Sequence, residues 1–281
     1  LESWNLDPEA LMAETPGLIV VRMSGYGQTG PYASRAGYGG VGEAMGGWRR
    51  IVGDPDRPPA RMGVSIGDSL TATFGALGAL AALHHRERTG RGQVIDAALY
   101  ESVLAVMEGL VAEYSVSGFV RQRSGSILPG VAPSNVYPTA DGELMIGGNG
   151  DTVFRRLCAA MGRPELADDP RYVSHEARGA NQRALDELIG EWTRTLSTAE
   201  LEAVLERHSV PSGRLYAAPD MLADPHFRAR QALVEVAHER WPGLTMQNVV
   251  PRLSETPGAV RRRAPEAVGE HNAEVLGERL G

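Results

Sequence analysis

The chain has 281 residues, 28 of them basic and 35 acidic, for a formal net charge of −7. Every basic residue is arginine, which excludes Schiff-base lysine chemistry, the Walker A lysine and the kinase lysine. A single cysteine, Cys158, excludes an internal disulfide framework and any CxxC zinc or redox site, and the acidic balance argues against nucleic acid as a partner. Apolar residues make up 42% and charged residues 22%, an ordinary balance for a chain able to bury a core. No stretch approaches 18 uninterrupted apolar residues and no signal-peptide pattern opens the chain, so no membrane contact and a cytoplasmic location are expected.

The opening LESWNLDPEALMAETP reads as a short helix. Residues 18–23, LIVVRM, form a β-rich apolar run that suits a buried strand. They empty into a glycine-rich stretch with nine glycines from Gly25 to Gly47, read as loop, followed by the proline-rich loop 54–59. Residues 69–88 carry Leu70, Phe74, Leu77, Leu80 and Leu83 at helical spacing, with many small residues between them, and stop at Thr89-Gly90. A strand is expected at 93–99 and a second buried helix at 100–115. Beyond a Gly-, Ser- and Arg-containing loop, a strand-turn-strand unit (NVYPT, ADG, ELMIGG) and helices near 151–161, 182–195 and 198–207 follow. A short helix near 219–222 and a strand near 233–236 complete the pattern. The basic run Arg261-Arg262-Arg263 reads as solvated surface.

Three motifs carry chemical content. Gly25-Tyr26-Gly27-Gln28-Thr29-Gly30 fits G-x-G-x-x-G, yet Pro31 and further glycines follow where a dinucleotide site needs a helix. Gly63-Val64-Ser65-Ile66-Gly67 fits the G-x-S-x-G nucleophile elbow, but Pro58-Pro59-Ala60-Arg61-Met62 is a poor strand to precede one. Asp68 stands at the head of the long helix, where aspartate is a favoured N-cap. The same position keeps a carboxylate ionised, and beside a glycine-rich loop able to hold an oxyanion it suits a covalent nucleophile.

The segments LIVVRMSGYGQTGPY, AGYGGVGEAMGG and DRPPARMGVSIGDSLTATFGALGALAALHHRERTGRGQVIDAALYESVL together resemble the class III CoA-transferases, of the formyl-CoA and carnitine CoA-transferase type. ADGELMIGG, GRPELADDPRY, VPSGRLYAAPDMLADPHFRAR and GEHNAEVLG extend the resemblance along the whole chain, while the family's opening segment is not in it. The resemblance implies an α/β fold: an incomplete Rossmann-like large domain (1–130) and a smaller α+β domain (131–215). A C-terminal segment (216–281) would return to the large domain, in an interlocked homodimer. It implies that Asp68, in Ile66-Gly67-Asp68, is the nucleophile of an acyl-CoA:carboxylate CoA-transferase working through an aspartyl-CoA thioester.

It further implies a CoA thioester as substrate, a carboxylic acid as acceptor, and no tightly bound cofactor or metal. Tyr38 matches a tyrosine near the thioester, and Gln28, Glu43, Arg61 and Gly67 are candidates for substrate or CoA contacts. Arg22 and Arg35 are further candidates for phosphates. Residues 124–130 stand where the family has a lid loop, and Asp151 lies near an accessory acid of the related racemases. Those racemases, which invert 2-methylacyl-CoA thioesters, place a histidine base where this chain has Tyr38. A phenol, ordinarily titrating near ~10, is a poor neutral-pH base. Racemase-like activity and a non-catalytic truncated subunit are the alternatives to transfer.

Overall fold

A computed structural model describes residues 2–280, which separate into two compact units, one ending at Ser212 and one starting at Gly213. In the first unit, α1 (Pro8–Glu14) is capped by Asp7, whose side chain accepts from Glu9 N–H at 3.2 Å, with proline at its first position. β1 (Val20–Ser24) and β2 (Val94–Ala98) pair in parallel, in a register running from Val20 opposite Val94 to Ser24 opposite Ala98. Parallel strands need a long crossover, and the chain supplies α2 (Gly39–Met45), α3 (Trp48–Ile51) and α4 (Ile66–Thr89).

α4 starts three residues before the expected 69 and ends on Gly90, at φ 73°, whose N–H donates to Arg86 O at 2.7 Å. By length and composition it is apolar enough to cross a membrane, and here it lies on the two strands. Its glycines explain how. A Cβ on Gly75 would stand 3.3 Å from Val21 Cγ1, and one on Gly78 only 2.8 Å from Ile95 Cγ2. Leu77 and Leu80, on the same helix, are exposed.

Two expectations need correction. The glycine-rich stretch is not all loop: α2 forms inside it and α3 directly after it, because Gly42 and Gly46 let α2 settle directly on Leu99 and Val103, where a Cβ would meet side-chain carbons at 2.6 Å. The expected helix 100–115 is two helices, α5 (Leu99–Leu104) and α6 (Leu110–Ser117). Between them Glu108 takes φ 53°, a left-handed conformation through which an α-helix does not continue.

The contiguous apolar core of the first unit runs from Ala132 to Val210. It is built from the hairpin β3 (Ser134–Pro138) and β4 (Glu143–Gly147), with α7 (Asp151–Ala160), α8 (His175–Ala180), α9 (Gln182–Thr193) and α10 (Thr198–Arg207). Strand alternation buries Tyr137, Leu144 and Ile146, while helical spacing buries Phe154, Leu157 and Cys158 on α7, Leu185 and Ile189 on α9, and Leu201 and Leu205 on α10. A reciprocal capping box between Ser197 and Glu200 starts α10 where the sequence placed it. Arg178 is fully buried among these elements, donating to the carbonyls of Ala132, Tyr172 and Asn149.

β5 (Ser212–Arg214) carries the chain onward. The second unit contains α11 (Ala218–Ala223), α12 (Pro225–Ala229) and an antiparallel pair, β6 (Leu233–Glu235) with β7 (Thr245–Gln247). Asp224 caps α12 by accepting from His226 and Phe227 N–H at 2.7 and 3.2 Å. In the basic run, Arg263 pairs with Glu270 at 2.7 Å and Arg262 with Glu274.

Candidate active site

A cavity of about 480 Å³ opens at the carboxyl ends of the parallel strands, the edge where α/β sheets place their ligands. Ser24 is the last residue of β1, Leu99 follows β2, and both line the cavity with Asp68 and Thr71 of α4. Its floor is a crossing of two glycine loops. A Cβ on Gly25 would lie 2.7 Å from Gly37 Cα, and one on Gly37 2.6 Å from Gly25 Cα, so only glycine fits at either place.

Asp68 is not the helix cap. Ser65 holds that position, without a side-chain capping bond, and Asp68 is the third residue of α4. Among the described residues no hydrogen bond or ion pair engages its exposed carboxylate. It lies directly against Gly39: a Cβ on that glycine would fall 2.1 Å from Oδ2. Gly67 is buried behind it, with Gly39 O and Glu43 Cγ 3.2 and 3.3 Å from where its Cβ would be.

The other candidates divide. Tyr38 lines the cavity at the start of α2 and is 82% exposed. Gln28 works from behind: its backbone N–H donates to Asp96 Oδ2 at 2.8 Å and its side-chain amide to Ser24 Oγ at 3.1 Å. Glu43 is not a lining residue. It is 1% exposed and accepts from Arg49 Nε at 2.8 Å, an ion pair within the packing of α2. Arg61 is exposed on the loop before α4 and is not part of the cavity wall. Arg22 pairs with Glu2 at 2.8 Å, and Arg35 stacks on Tyr32 with its guanidinium carbon 3.6 Å from the ring centre.

Asp151 caps no helix with its side chain and pairs with Arg178 at 2.6 Å; the Arg178 hydrogen bond, then its charge, holds the carboxyl below the usual range. Part of the 124–130 loop lines a different cavity of about 750 Å³, together with Phe119 and Arg121. The two sequence motifs lack their contexts. The segment before Ser65 is not a strand, so there is no nucleophile elbow, and the glycines after β1 lead into turns rather than a helix. Ser24, Gly39 and Thr71 line the cavity without having been singled out. Ser24 carried one signal, its place at a strand end ahead of a glycine loop. Among the described residues no group of three or more His, Cys, Asp or Glu could hold a metal ion.

Residues 1–272 match the family model described as CoA-transferase family III. The chain belongs to that family. This CoA-transferase is 56% identical over 282 residues to the succinyl-CoA–D-citramalate CoA-transferase of Chloroflexus aurantiacus, across all of this chain and 70% of that protein. It is 42% identical over 288 residues to the succinyl-CoA–L-malate CoA-transferase beta subunit of the same organism, again across all of this chain and 70% of that one. Among solved structures, a CaiB/BaiF family protein from Brucella suis superposes with a TM-score of 0.82 at 34% identity, covering 99% of this chain and 72% of that one. The mixed α/β fold is therefore that of the class III CoA-transferases.

Proposed function

We propose that this CoA-transferase moves CoA from succinyl-CoA to a short hydroxy-dicarboxylate through covalent catalysis by Asp68. The observation that carries the reading is a carboxylate at a helix N-terminus, facing a cavity at the strand ends, with no hydrogen-bond or ion-pair partner among the described residues. The names of the two Chloroflexus aurantiacus relatives supply the substrate class: both act with succinyl-CoA, and their acceptors, D-citramalate and L-malate, are 2-hydroxy-dicarboxylates.

Asp68 attacks the thioester carbon, forming a C–O bond, and the C–S bond breaks to release CoA thiolate and leave a mixed anhydride. The thiolate attacks the Asp68 carbonyl carbon, expelling succinate and leaving an aspartyl-CoA thioester. The acceptor carboxylate then displaces the thiolate, giving a second mixed anhydride, and the thiolate takes the acceptor acyl group and restores Asp68. No proton need be transferred, which suits a site furnished with a carboxylate and hydroxyls. In this reading Tyr38 borders the thioester, Gln28 and Gly67 position the loop and the nucleophile, Glu43 braces α2 under Gly67, and Arg61 contacts CoA from the loop.

The exposed apolar side chains Met23, Leu77, Leu80 and Val111 support a homodimer, in which a second copy covers them. A cytoplasmic location fits the supply of both substrates. The decisive experiment is incubation with succinyl-CoA and hydroxylamine followed by peptide mass spectrometry, with Asp68→Ala beside the parent. A hydroxamate on Asp68 and loss of transfer in the variant are expected. Transfer that survives Asp68→Ala refutes the mechanism.

A further inference from the structure

Ser24 is the last residue of β1 and lines the Asp68 cavity. Its Oγ accepts two hydrogen bonds, from Gly27 N–H at 3.0 Å and from the Gln28 side-chain amide at 3.1 Å. A hydroxyl oxygen has two lone pairs and one proton. Both lone pairs are occupied, so the proton must point away from the loop, and among the described residues no hydrogen bond receives it. The loop that carries both donors is anchored at its backbone: Gln28 N–H donates to Asp96 Oδ2 at 2.8 Å, and Gly27, at φ 84°, packs beside the same carboxylate, where a Cβ would lie 3.5 Å from that oxygen. The loop therefore fixes the hydroxyl's direction before any ligand arrives.

We infer that Ser24 is an oxyanion donor of this enzyme, its Oγ–H donating to the acyl oxygen on which negative charge develops when Asp68 attacks the thioester. The inference rests on the reading of Asp68 as nucleophile. The cavity supplies the rest. Ser24 and Asp68 face one space of about 480 Å³, large enough for an acyl group between them. Of the other two hydroxyls of the wall, Thr71 spends its proton on Gly67 O at 2.8 Å, and the Tyr38 phenol sits on a side chain that is 82% exposed. As the Asp68 C–O bond forms, the carbonyl π electrons move to oxygen and the Ser24 hydrogen bond shortens. As the C–S bond breaks, the electrons return and the hydrogen bond relaxes. Ser24 keeps its proton throughout, and the two N–H donors that polarise Oγ make that proton a stronger donor.

The test uses succinyl-CoA with D-citramalate or L-malate on the full chain, reading kcat, KM and thermal midpoint. Ser24→Ala is expected to lower kcat by about 100-fold, the usual consequence of losing one oxyanion donor, with KM changed less than about threefold. Ser24→Thr keeps the hydroxyl and is expected to stay within about tenfold of the parent. Asp96→Ala loosens the same loop without touching the hydroxyl; a kcat loss equal to that of Ser24→Ala would assign the effect to loop geometry and overturn the inference. So would parental kcat in Ser24→Ala. If Ser24→Ala does not fold, Ser24→Cys, a weaker donor of similar size, is set against Ser24→Thr, and equal rates would overturn it. Asp68→Ala in the same assay separates the two readings: surviving transfer removes the nucleophile itself, whereas its loss beside an unaffected Ser24→Ala removes the donor role alone.

Discussion

Gly39→Ala separates the position of the Asp68 carboxylate from the stability of the fold. Gly39 does not take a positive φ, so alanine is free of backbone strain there. What the new methyl meets is Asp68, at 2.1 Å from Oδ2, 2.7 Å from Cγ and 2.9 Å from Oδ1. An unstrained carbon–oxygen contact needs more than 3 Å, so the carboxylate must retreat by about 1 Å, and a misplacement of that size can cost about 100-fold in rate. The retreat is inexpensive for folding, because Asp68 is exposed and its carboxylate is the far end of a rotatable side chain. The expected outcome is a thermal midpoint within a few degrees of the parent and kcat lower by about 100-fold, measured by melting and by succinyl-CoA-dependent transfer. Gly25→Ala and Gly37→Ala are the contrast: each Cβ would meet backbone at 2.7 or 2.6 Å, nothing flexible can yield, and a loss of about 1–3 kcal/mol is expected. Transfer in Gly39→Ala within threefold of the parent would refute the proposed role of the carboxylate that lies against this glycine.

Three further outcomes follow from the packed half of the first unit. Arg178→Met removes the arginine donor from the carbonyls of Ala132, Tyr172 and Asn149, and chemical denaturation should show a loss of about 3 kcal/mol or more. Burial pushes the Asp186 carboxyl up, although hydrogen bonds from Tyr137 and Asn135 pull it down. A raised value in the fold means the native state binds the proton more readily than the unfolded chain, so this contribution is present in acid and lost as pH rises through the folded value. Asp186→Asn keeps an acceptor for Tyr137 and removes the titration; its stability relative to the parent should therefore increase from acid to neutral pH, and a flat or falling difference in melting curves would contradict this. Burial also pushes the Cys158 thiol up to about 11, so iodoacetamide at mildly alkaline pH should label it only once the chain unfolds.

Where a periodic pattern met an ordinary environment, the sequence was legible. The strands at 18–23 and 93–99, the hairpin and the helices after residue 150 fall within a few residues of their expected places, because alternation and helical spacing are what burial against one core selects. α2 was hidden because glycine has low helix propensity, and the reason for its glycines, direct contact with Leu99 and Val103, lies far along the chain. The α5–α6 break was hidden because a single residue at positive φ leaves no mark on the hydrophobic pattern.

The site divided along the same line. Asp68 could be read as a cap or as a nucleophile from its neighbours alone; only the position of Ser65 shows that the cap is another residue and that the carboxylate is not spent on the helix. Glu43 was singled out as a polar residue within the glycine-rich stretch, and Arg61 as an arginine able to meet a phosphate. Polarity does not distinguish a buried ion-pair partner or a surface arginine from a cavity residue. Gly39 and Ser24 matter through what they nearly touch, and neither distance could be read from spacing. What the sequence holds is a carboxylate at the start of a helix in a chain without lysine. What the fold adds is the freedom of that carboxylate, since a side chain that stabilises its own helix by hydrogen bonding has already committed the lone pairs a nucleophile must keep.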